Sequence, residues 1–501
     1  MTTAQTGDTV QTRRLFAVAF CAIIATSFCF VIRALVVNQW GVELSLSETQ
    51  KGELLGVGLW PFAISIVLLS LIVDRIGFKA VLCFAAVGHI VGVAVIIAAH
   101  SYWALYLGTL AMALGNGAVE AAANPLIATL YPDDKPRWLN RLHAAWPLGM
   151  ILGGLVALGL GPDIAWRGKM LLIALPVSLY AGLLIGTRFP PSERVAAGVS
   201  YKAMLAEAGY VSAFIVSLLI MMEIGRIFDF STTLIVGLAV AATIVFGYFA
   251  RAPGRPLFIL LVLLMIPLAT TELSTDSWIS SLMEPEMTRL NLSAGWVLIY
   301  TSLIVFLIRL IAGSIIDRIG AVETLCVASL LAAAGLFLLS GANGMLILIA
   351  ATLYGIGKSF FWGTTLAVTS EQFPKGGAVT LNVMGGVGML AAGILGSVLL
   401  GTIQDRSSVR AITRYDQAQS TTLSRDIVVE HAGMLGTYRS LDNSAIARLP
   451  VGDRTVVAGV VASSKRQALA EVSLLPIVTA CAFALLALYF RLKGGYRKGA
   501  L

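Results

Sequence analysis

The sequence predicts an all-α membrane protein made of two six-helix pseudo-repeats with two extra helices between them. Three observations predict it. The 501 residues are 58% hydrophobic and only 12% charged, far from the roughly 25% charged usage of soluble domains. The apolar residues come in runs of about 20, the length that crosses a bilayer as a helix. Sequence signatures of the first set of runs recur in the last.

The runs fall at about 15–37, 52–73, 79–99, 102–130, 143–161 and 169–187, then 209–226 and 232–250, then 256–282, 294–316, 321–341, 345–372, 376–402 and 470–492. This divides the chain into a polar N-terminus (1–14), an N-terminal half (15–187), a linker with two hydrophobic helices (188–255), five helices of a C-terminal half (256–402), an external polar insertion (403–469), and a last helix with its tail (470–501). Whether the 209–250 pair spans the bilayer or lies flat is open at this level. Within the insertion, Asp426 to Leu435 is expected as a short amphipathic helix.

Asp74-Arg75-Ile76-Gly77 follows the second run of the first set, and Asp317-Arg318-Ile319-Gly320 follows the second run of the last. Gly115-x-Gly117 is echoed by Gly355-x-Gly357, and Leu139-Asn140 by Leu381-Asn382. Recurrence at nearly fixed offset is the mark of a parallel duplication.

Lys and Arg in short loops favour the cytoplasm. Arg13, Arg14, Arg75, Lys79, Arg137, Arg141, Arg188, Arg318 and Arg491 share one side if fourteen spans alternate. Both termini are then cytoplasmic, and a bacterial inner membrane is the expected location. The net charge of +8 sits at run ends rather than in one basic stripe with interleaved aromatics, so nucleic acid is not an expected partner. The five cysteines all lie in apolar runs without metal-ligand spacing, which argues against disulfides or zinc. Gly115-x-Gly117 has no strand before it, and no Walker motif, nucleophile elbow or His-Glu-x-x-His is present. No catalytic residues, metal or cofactor are therefore expected, and the chain is not read as an enzyme.

The charges at membrane depth are Arg33, Glu120, Glu272, Asp276, Arg309 and Lys358. An ionisable group there costs at least about 2.5 kcal/mol unless it faces a cavity or a partner. Asn116, Glu120 and Asn124 are four apart and form one polar stripe on a helix. Arg309 lies two turns before Asp317 and is assigned to the gate rather than the site; His89 is read as a satisfied core histidine, and His143 is left open. Trp60, Trp146, Trp278 and Trp362 lie in spans expected to line a cavity, where a flat ring stacks on the C–H face of a sugar.

The whole pattern resembles the major facilitator superfamily. Its loop motif, Gly-x-x-x-Asp-Arg-x-Gly-Arg-Lys, is met at Gly313 to Gly320 and partly at Ser70 to Lys79. The resemblance implies that Asp74, Arg75, Gly77, Asp317, Arg318 and Gly320 form gating loops. Within that superfamily, Gly115 to Pro125 is similar to the fourth-span motif Gly-x-Gly-x-x-Glu-x-Ala-x-Asn-Pro of the fucose-proton symporter group, and Leu139-Asn140 fits the run that follows. This implies that Glu120, with Asn124 beside it, takes part in sugar binding or proton coupling. The group carries a functional aspartate in the first span, where this chain has only Arg33. Glu120 is accordingly expected to pair with Arg33 at the cavity, with coupling moved to Glu272 and Asp276.

The expected function is secondary active transport of a small sugar or polyol by alternating access, with H⁺ as the candidate coupling ion. Arg33, Asn116, Glu120, Asn124, Glu272, Asp276 and Lys358 are the expected binding or coupling residues. The alternatives are an organic-anion exporter or exchanger, in which Arg33, Arg309 and Lys358 bind the substrate's charge, and a sensor without flux. The expected partners are a small-molecule substrate and the lipid bilayer, and the expected state is a monomer.

Overall fold

The computed structural model describes residues 3–44, 46, 53–160, 164–276, 279, 283, 287–292, 295–433 and 436–500. The N-terminal half consists of α1 (Thr3–Glu43), α2 (Trp60–Ile76), α3 (Phe78–Ile97), α4 (Tyr102–Leu130), α5 (Lys135–His143), α6 (Ala145–Gly159), α7 (Trp166–Leu171) and α8 (Ala174–Leu184). The linker contributes α9 (Tyr201–Phe228) and α10 (Thr232–Ala250). In the C-terminal half stand α11 (Pro256–Ala269), α12 (Gly295–Ile319), α13 (Ala321–Gly341), α14 (Leu346–Lys358), α15 (Phe361–Gln372) and α16 (Gly377–Leu390). Beyond them come α17 (Ser397–Gln419), the hairpin β1 (Val428–Gly433) with β2 (Gly436–Leu441), α18 (Val451–Val472) and α19 (Leu474–Leu492). Twelve helical stretches among the described residues are long and apolar enough to cross a membrane. The fourth and fifth places of the first set are filled by α4, 29 residues long but diluted by its polar stripe, and by α5 with α6.

The duplication is visible in how helices end. Gly77 has φ +84° and Gly320 φ +97°, a region open to glycine at no steric cost. Each donates its N–H 2.8 Å to the carbonyl four residues earlier, Val73 and Ile316 respectively, and the next helix starts one residue later. The recurring Asp-Arg-Ile-Gly is thus a one-residue reversal. The paired asparagines act reciprocally. Asn140 of α5 donates 3.2 Å to Thr364 Oγ1 in the other half, and Asn382 of α16 donates 3.0 Å to the Ala121 carbonyl of α4. The glycine pairs keep their role but exchange partners: a Cβ on Gly115 would lie 2.9 Å from Ala85 O of α3 and one on Gly117 would strike Phe62 O of α2, whereas Gly355 faces Ile304 of α12 and Gly357 faces Ala328 of α13.

Three local expectations are corrected. The fifth crossing, expected at 143–161, starts at Lys135 with Pro136 in its first turn and breaks after His143. The sixth, expected as one helix at 169–187, starts at Trp166 and breaks at Leu172–Ile173, because Pro176 has no N–H to return to the Leu172 carbonyl. Of the expected helix Asp426 to Leu435, Asp426 and Ile427 end the short helix Leu423–Ile427, Val428–Gly433 form β1, whose Val428 and Val429 favour a pleated strand paired antiparallel with Leu441 and Ser440, and the last two residues lie outside the described residues. After Gly377 (φ +50°) the chain is helical without interruption to Gln419, so no break marks the expected boundary at 403.

The linker pair traverses the full depth of the protein. Ser200 caps α9, accepting from Ala203 N at 3.2 Å, and Ser231 caps α10. The pair starts and ends at one neck, where Tyr210 N reaches Ala252 O at 3.0 Å and Arg255 pairs with Glu207 at 3.0 Å. A side chain at Gly209 (φ +69°) would run into the Gly254 backbone. At the far end Arg226, bonded to Glu223 at 2.6 Å, is near enough to Tyr106 and Glu53 for electrostatic interaction, and both belong to the opposite face. On α10, Leu234, Ile244, Val245 and Phe249 are exposed, as a lipid-facing helix requires. α9 packs against α2, α11 and α16, along one seam between the halves.

On the face opposite both termini, Glu43 at the end of α1 accepts from Arg167 Nη1 at 2.6 Å and from Trp166 Nε1 at 2.5 Å, while Arg167 also reaches the Ile97 and Ala99 carbonyls. The hydrogen bond from Arg167, then that from Trp166, holds the Glu43 carboxyl below the usual glutamate range. A depressed carboxyl contributes stability above its unfolded pKa and loses it as pH falls through the folded one. Thermal unfolding of wild type and Glu43→Gln should therefore differ at neutral pH and converge in acid, below about pH 4.

Candidate functional site

At the centre, between the halves, a chamber is walled by α1, α6, α12, α14 and α16 and by two π-helical turns, Thr270–Ser274 and Ala391–Gly396. The turns face each other, with Ser274 Oγ donating 2.9 Å to Ala392 O. A π turn widens the helix by one residue and turns its side chains to new directions. Here it brings Glu272, Ser274 and Asp276 to one cavity of about 70 Å³, with Arg309, Lys358 and Trp146. A second compartment of about 30 Å³ holds Glu120, His143 and Trp362. Trp146, Glu272, Leu273, Arg309 and Met389 line both.

Two ion pairs set the electrostatics. Arg309 Nη2 donates 2.6 Å to Glu272 Oε1, with side-chain exposures of 2% and 8%. Its other nitrogens donate to Ser359 O at 3.0 Å and, across the halves, to His143 O at 2.9 Å. Lys358 pairs with Asp276 and stands 4.8 Å from the Tyr354 ring centroid. Tyr354 in turn donates 2.9 Å to the Thr271 carbonyl at the π turn. Arg309 and Lys358 thus each have a carboxylate, the condition under which burying charge is tolerable.

Glu120, 5% exposed, accepts 2.8 Å from Asn124 Nδ2, and Asn124 Oδ1 accepts 2.9 Å from His143 Nε2. Because an amide oxygen only accepts, this His143 nitrogen carries its proton. The result is a hydrogen-bonded chain Glu120–Asn124–His143 ending beside Trp362, whose ring centroid lies 6.4 Å from that of His143.

The expected pairing of Arg33 with Glu120 is corrected. Arg33 is buried, but it donates 2.9 Å to Cys29 O one turn back and 3.4 Å to Leu54 O, with its guanidinium packed on Gly58. It lines neither compartment. Asn116 is also displaced from the site: its Oδ1 meets His89 Nε2 at 2.9 Å, and His89 Nδ1 meets Tyr180 Oη at 3.0 Å. Four residues are about 400° of helix, so eight residues rotate the stripe by about 80°, and Asn116 turns into the core of its own half. Trp60 stands by Tyr106 instead of the chamber, and Trp278 lies outside the described residues. Trp146 and Trp362 reach the site. Arg309, assigned to the gate by sequence, is central; its depth, ten residues before the end of the 25-residue α12, is the signal that identifies it. Nothing local in the sequence marks Phe30 and Met389, which complete the wall.

The loops lie on the terminal face. Asp317 bonds Arg137 of the other half at 2.6 Å, and Arg137 also holds Asp134 at 2.9 Å. Asp74 bonds Arg194 of the linker at 2.7 Å, with side-chain exposures of 2% and 7%, and Arg75 stacks 4.8 Å over Tyr201. Arg318 is exposed. The tail closes the same face: Lys498 meets Glu371 at 3.0 Å and Asp133 O at 3.2 Å. The halves are thus tied together on this side, from the loops to the Arg309 layer.

A membrane transporter is the class defined by two six-helix halves around a central polar chamber latched at one face. The family model of the Major Facilitator Superfamily matches residues 15–283, more than half of the chain, and this protein belongs to that superfamily. Among solved structures it is similar to the fucose:proton symporter FucP of E. coli, with a TM-score of 0.58 at 16% identity over 95% of this chain and 98% of that one. It is also similar to the proton:xylose symporter XylE, with a TM-score of 0.61 at 15% identity over 95% of each chain, and to the human organic anion transporter MFSD10, with a TM-score of 0.55 at 16% identity over 78% of this chain and 93% of that one. At such identities the likeness is one of fold. In sequence it is 25% identical over 190 residues to a putative niacin/nicotinamide transporter of Bacillus subtilis, a match that spans 37% of this chain and 46% of that protein's length.

Proposed function

We propose that the protein is a proton-coupled symporter of a small neutral polyhydroxylated solute, a sugar or polyol, working by alternating access with both termini in the cytoplasm of a bacterial cell. The observation that carries this reading is the charge pairing of the chamber. Arg309 and Lys358 are each neutralised by a carboxylate, so the wall offers hydrogen-bonding groups and the Trp146 ring without a net cation to select an anion. Such a wall suits hydroxyl groups and C–H faces. Glu120 is bonded to a carboxamide rather than to a cation, which leaves it free to take and release a proton at the chamber, while Asn124 and His143 hold its carboxylate in place. The seal on the terminal face and the duplicated halves fit a rocking motion that exposes the chamber to one side at a time.

Uptake by proteoliposomes tests this. Sugar accumulation driven by an inward proton gradient is the expected result. In Glu120→Gln the accumulation should fall at least tenfold while exchange of labelled for unlabelled solute continues, because exchange requires no net proton movement. Equal proton-driven accumulation in the variant removes Glu120 as the proton carrier. A second reading, transport of a small organic carboxylate, is favoured by the Lys358 ammonium on the chamber wall and by the likeness to the Bacillus subtilis putative niacin/nicotinamide transporter and the human organic anion transporter. Counterflow of a monocarboxylate such as nicotinate, with no sugar flux, would select it.

A further inference from the structure

Beyond its apolar first turns, α17 carries Arg406, Arg410 and Arg414 at four-residue spacing, so their side chains form one stripe along the helix. Three like charges in that register repel one another, and such pairs destabilise an isolated helix. The insertion concentrates the charge further. Its hairpin folds over this stripe, and β2 adds Arg439 and Tyr438 to the same cleft of about 580 Å³. The acidic residue on the lining is Glu430, cross-strand partner of Arg439. Arg410 is drawn to Glu471 of α18 at 2.8 Å. Asp405 precedes Arg406 on α17, and Asp416, two residues beyond Arg414, is committed to the turn that follows it, accepting from Thr421 Oγ1 at 2.6 Å, Leu423 N at 3.0 Å and Ser424 N at 2.7 Å. Among the described residues, Arg406, Arg414 and Arg439 hold no ion pair.

The cleft is built rather than incidental. Ile412, Leu423, Ile427 and Val457 form a separate apolar core that fixes α17, the short helix before β1 and α18 against one another. The four arginines are exposed on this cleft, and the planar fork of donors on each guanidinium matches the oxygens of a phosphate or carboxylate, which it binds bidentately. We infer that this cleft is a second, anion-binding site that takes a multivalent oxyanion of the phosphate class, distinct from the transport chamber and independent of what that chamber carries. The phosphate has two possible sources, a soluble anion or the headgroup of an anionic phospholipid.

The test uses the full-length protein in nanodiscs. In discs of phosphatidylcholine alone, inorganic pyrophosphate is titrated calorimetrically at low ionic strength into wild type and into an Arg414→Gln/Arg439→Gln variant. A soluble source gives binding that weakens at least tenfold in the variant and is partly recovered in Arg414→Lys/Arg439→Lys. For a lipid source, pyrophosphate fails to bind, while phosphatidylglycerol from mixed discs is retained by wild type and lost from the variant in native mass spectrometry. Equal binding of both probes by wild type and variant, or binding of neither by wild type, overturns the inference. An unchanged melting temperature excludes unfolding as the cause. Should the double variant fail to fold, Arg406→Gln and Arg414→Gln, singly on the exposed face of α17, carry the same comparison.

Discussion

Glu272→Gln should be among the most damaging single substitutions in the chain. It strands Arg309 at 2% side-chain exposure with its remaining bonds to two carbonyls. Breaking a buried pair by removing one partner costs about 3–5 kcal/mol, because the other charge stays buried without compensation. Arg309 also bonds His143 O of the opposite half, so the loss should loosen the junction between halves as well as the C-terminal half itself. The expected readout is a large drop in melting temperature in detergent together with loss of flux. Glu272→Gln combined with Arg309→Met should regain most of the melting temperature and none of the flux. If the single variant melts like wild type, the pair does not hold the halves in the described arrangement.

Gly117→Val is the second. A side chain there would meet Phe62 O, Ser65 Cβ at 2.5 Å and Ile66 N at 3.0 Å, so α2 and α4 could not keep their approach. Overpacking of this kind costs about 1–3 kcal/mol, and in lipid, where small residues at helix contacts carry much of the association, the loss falls on the N-terminal half. Glu120 lies one turn further along α4, and the displacement should carry it away from His143. The folded, monodisperse fraction on fluorescence-detected size-exclusion chromatography is expected to fall severalfold. Gly56→Ala, at a position with nothing within 4 Å, should leave it unchanged.

What the sequence revealed follows the range of the interaction concerned. The one-residue reversals at Gly77 and Gly320 are local, and the tetrapeptide that makes them recurs, so the duplication could be found without coordinates. Glu120 was legible because an isolated carboxylate in an apolar helix has few tolerable surroundings. The partner of Arg33 was not, since a buried guanidinium can be satisfied by carbonyls one turn back, and spacing carries no record of that choice. Asn116 was misassigned for a geometric reason: a four-residue period is close to the helical repeat but drifts, and over two steps the drift moved it from the chamber to His89. Arg309 was legible by depth yet was read by its proximity to Asp317. The hairpin at Val428 and Gly436 was hidden by an expectation of amphipathic helix in a polar segment, although adjacent valines favour strand.

The helical run from Ala378 to Gln419 is also a mechanical pointer. Its middle turn, Ala391–Gly396, forms the chamber wall, and from there α17 extends by 23 residues, about 35 Å at 1.5 Å per residue. A tilt of about 10° at the chamber would sweep the far end of such a rod through roughly 6 Å. A movement too small to follow at the site itself is therefore magnified where the rod meets solvent, and a fluorophore near Gln419 would report the state of the chamber from outside the bilayer.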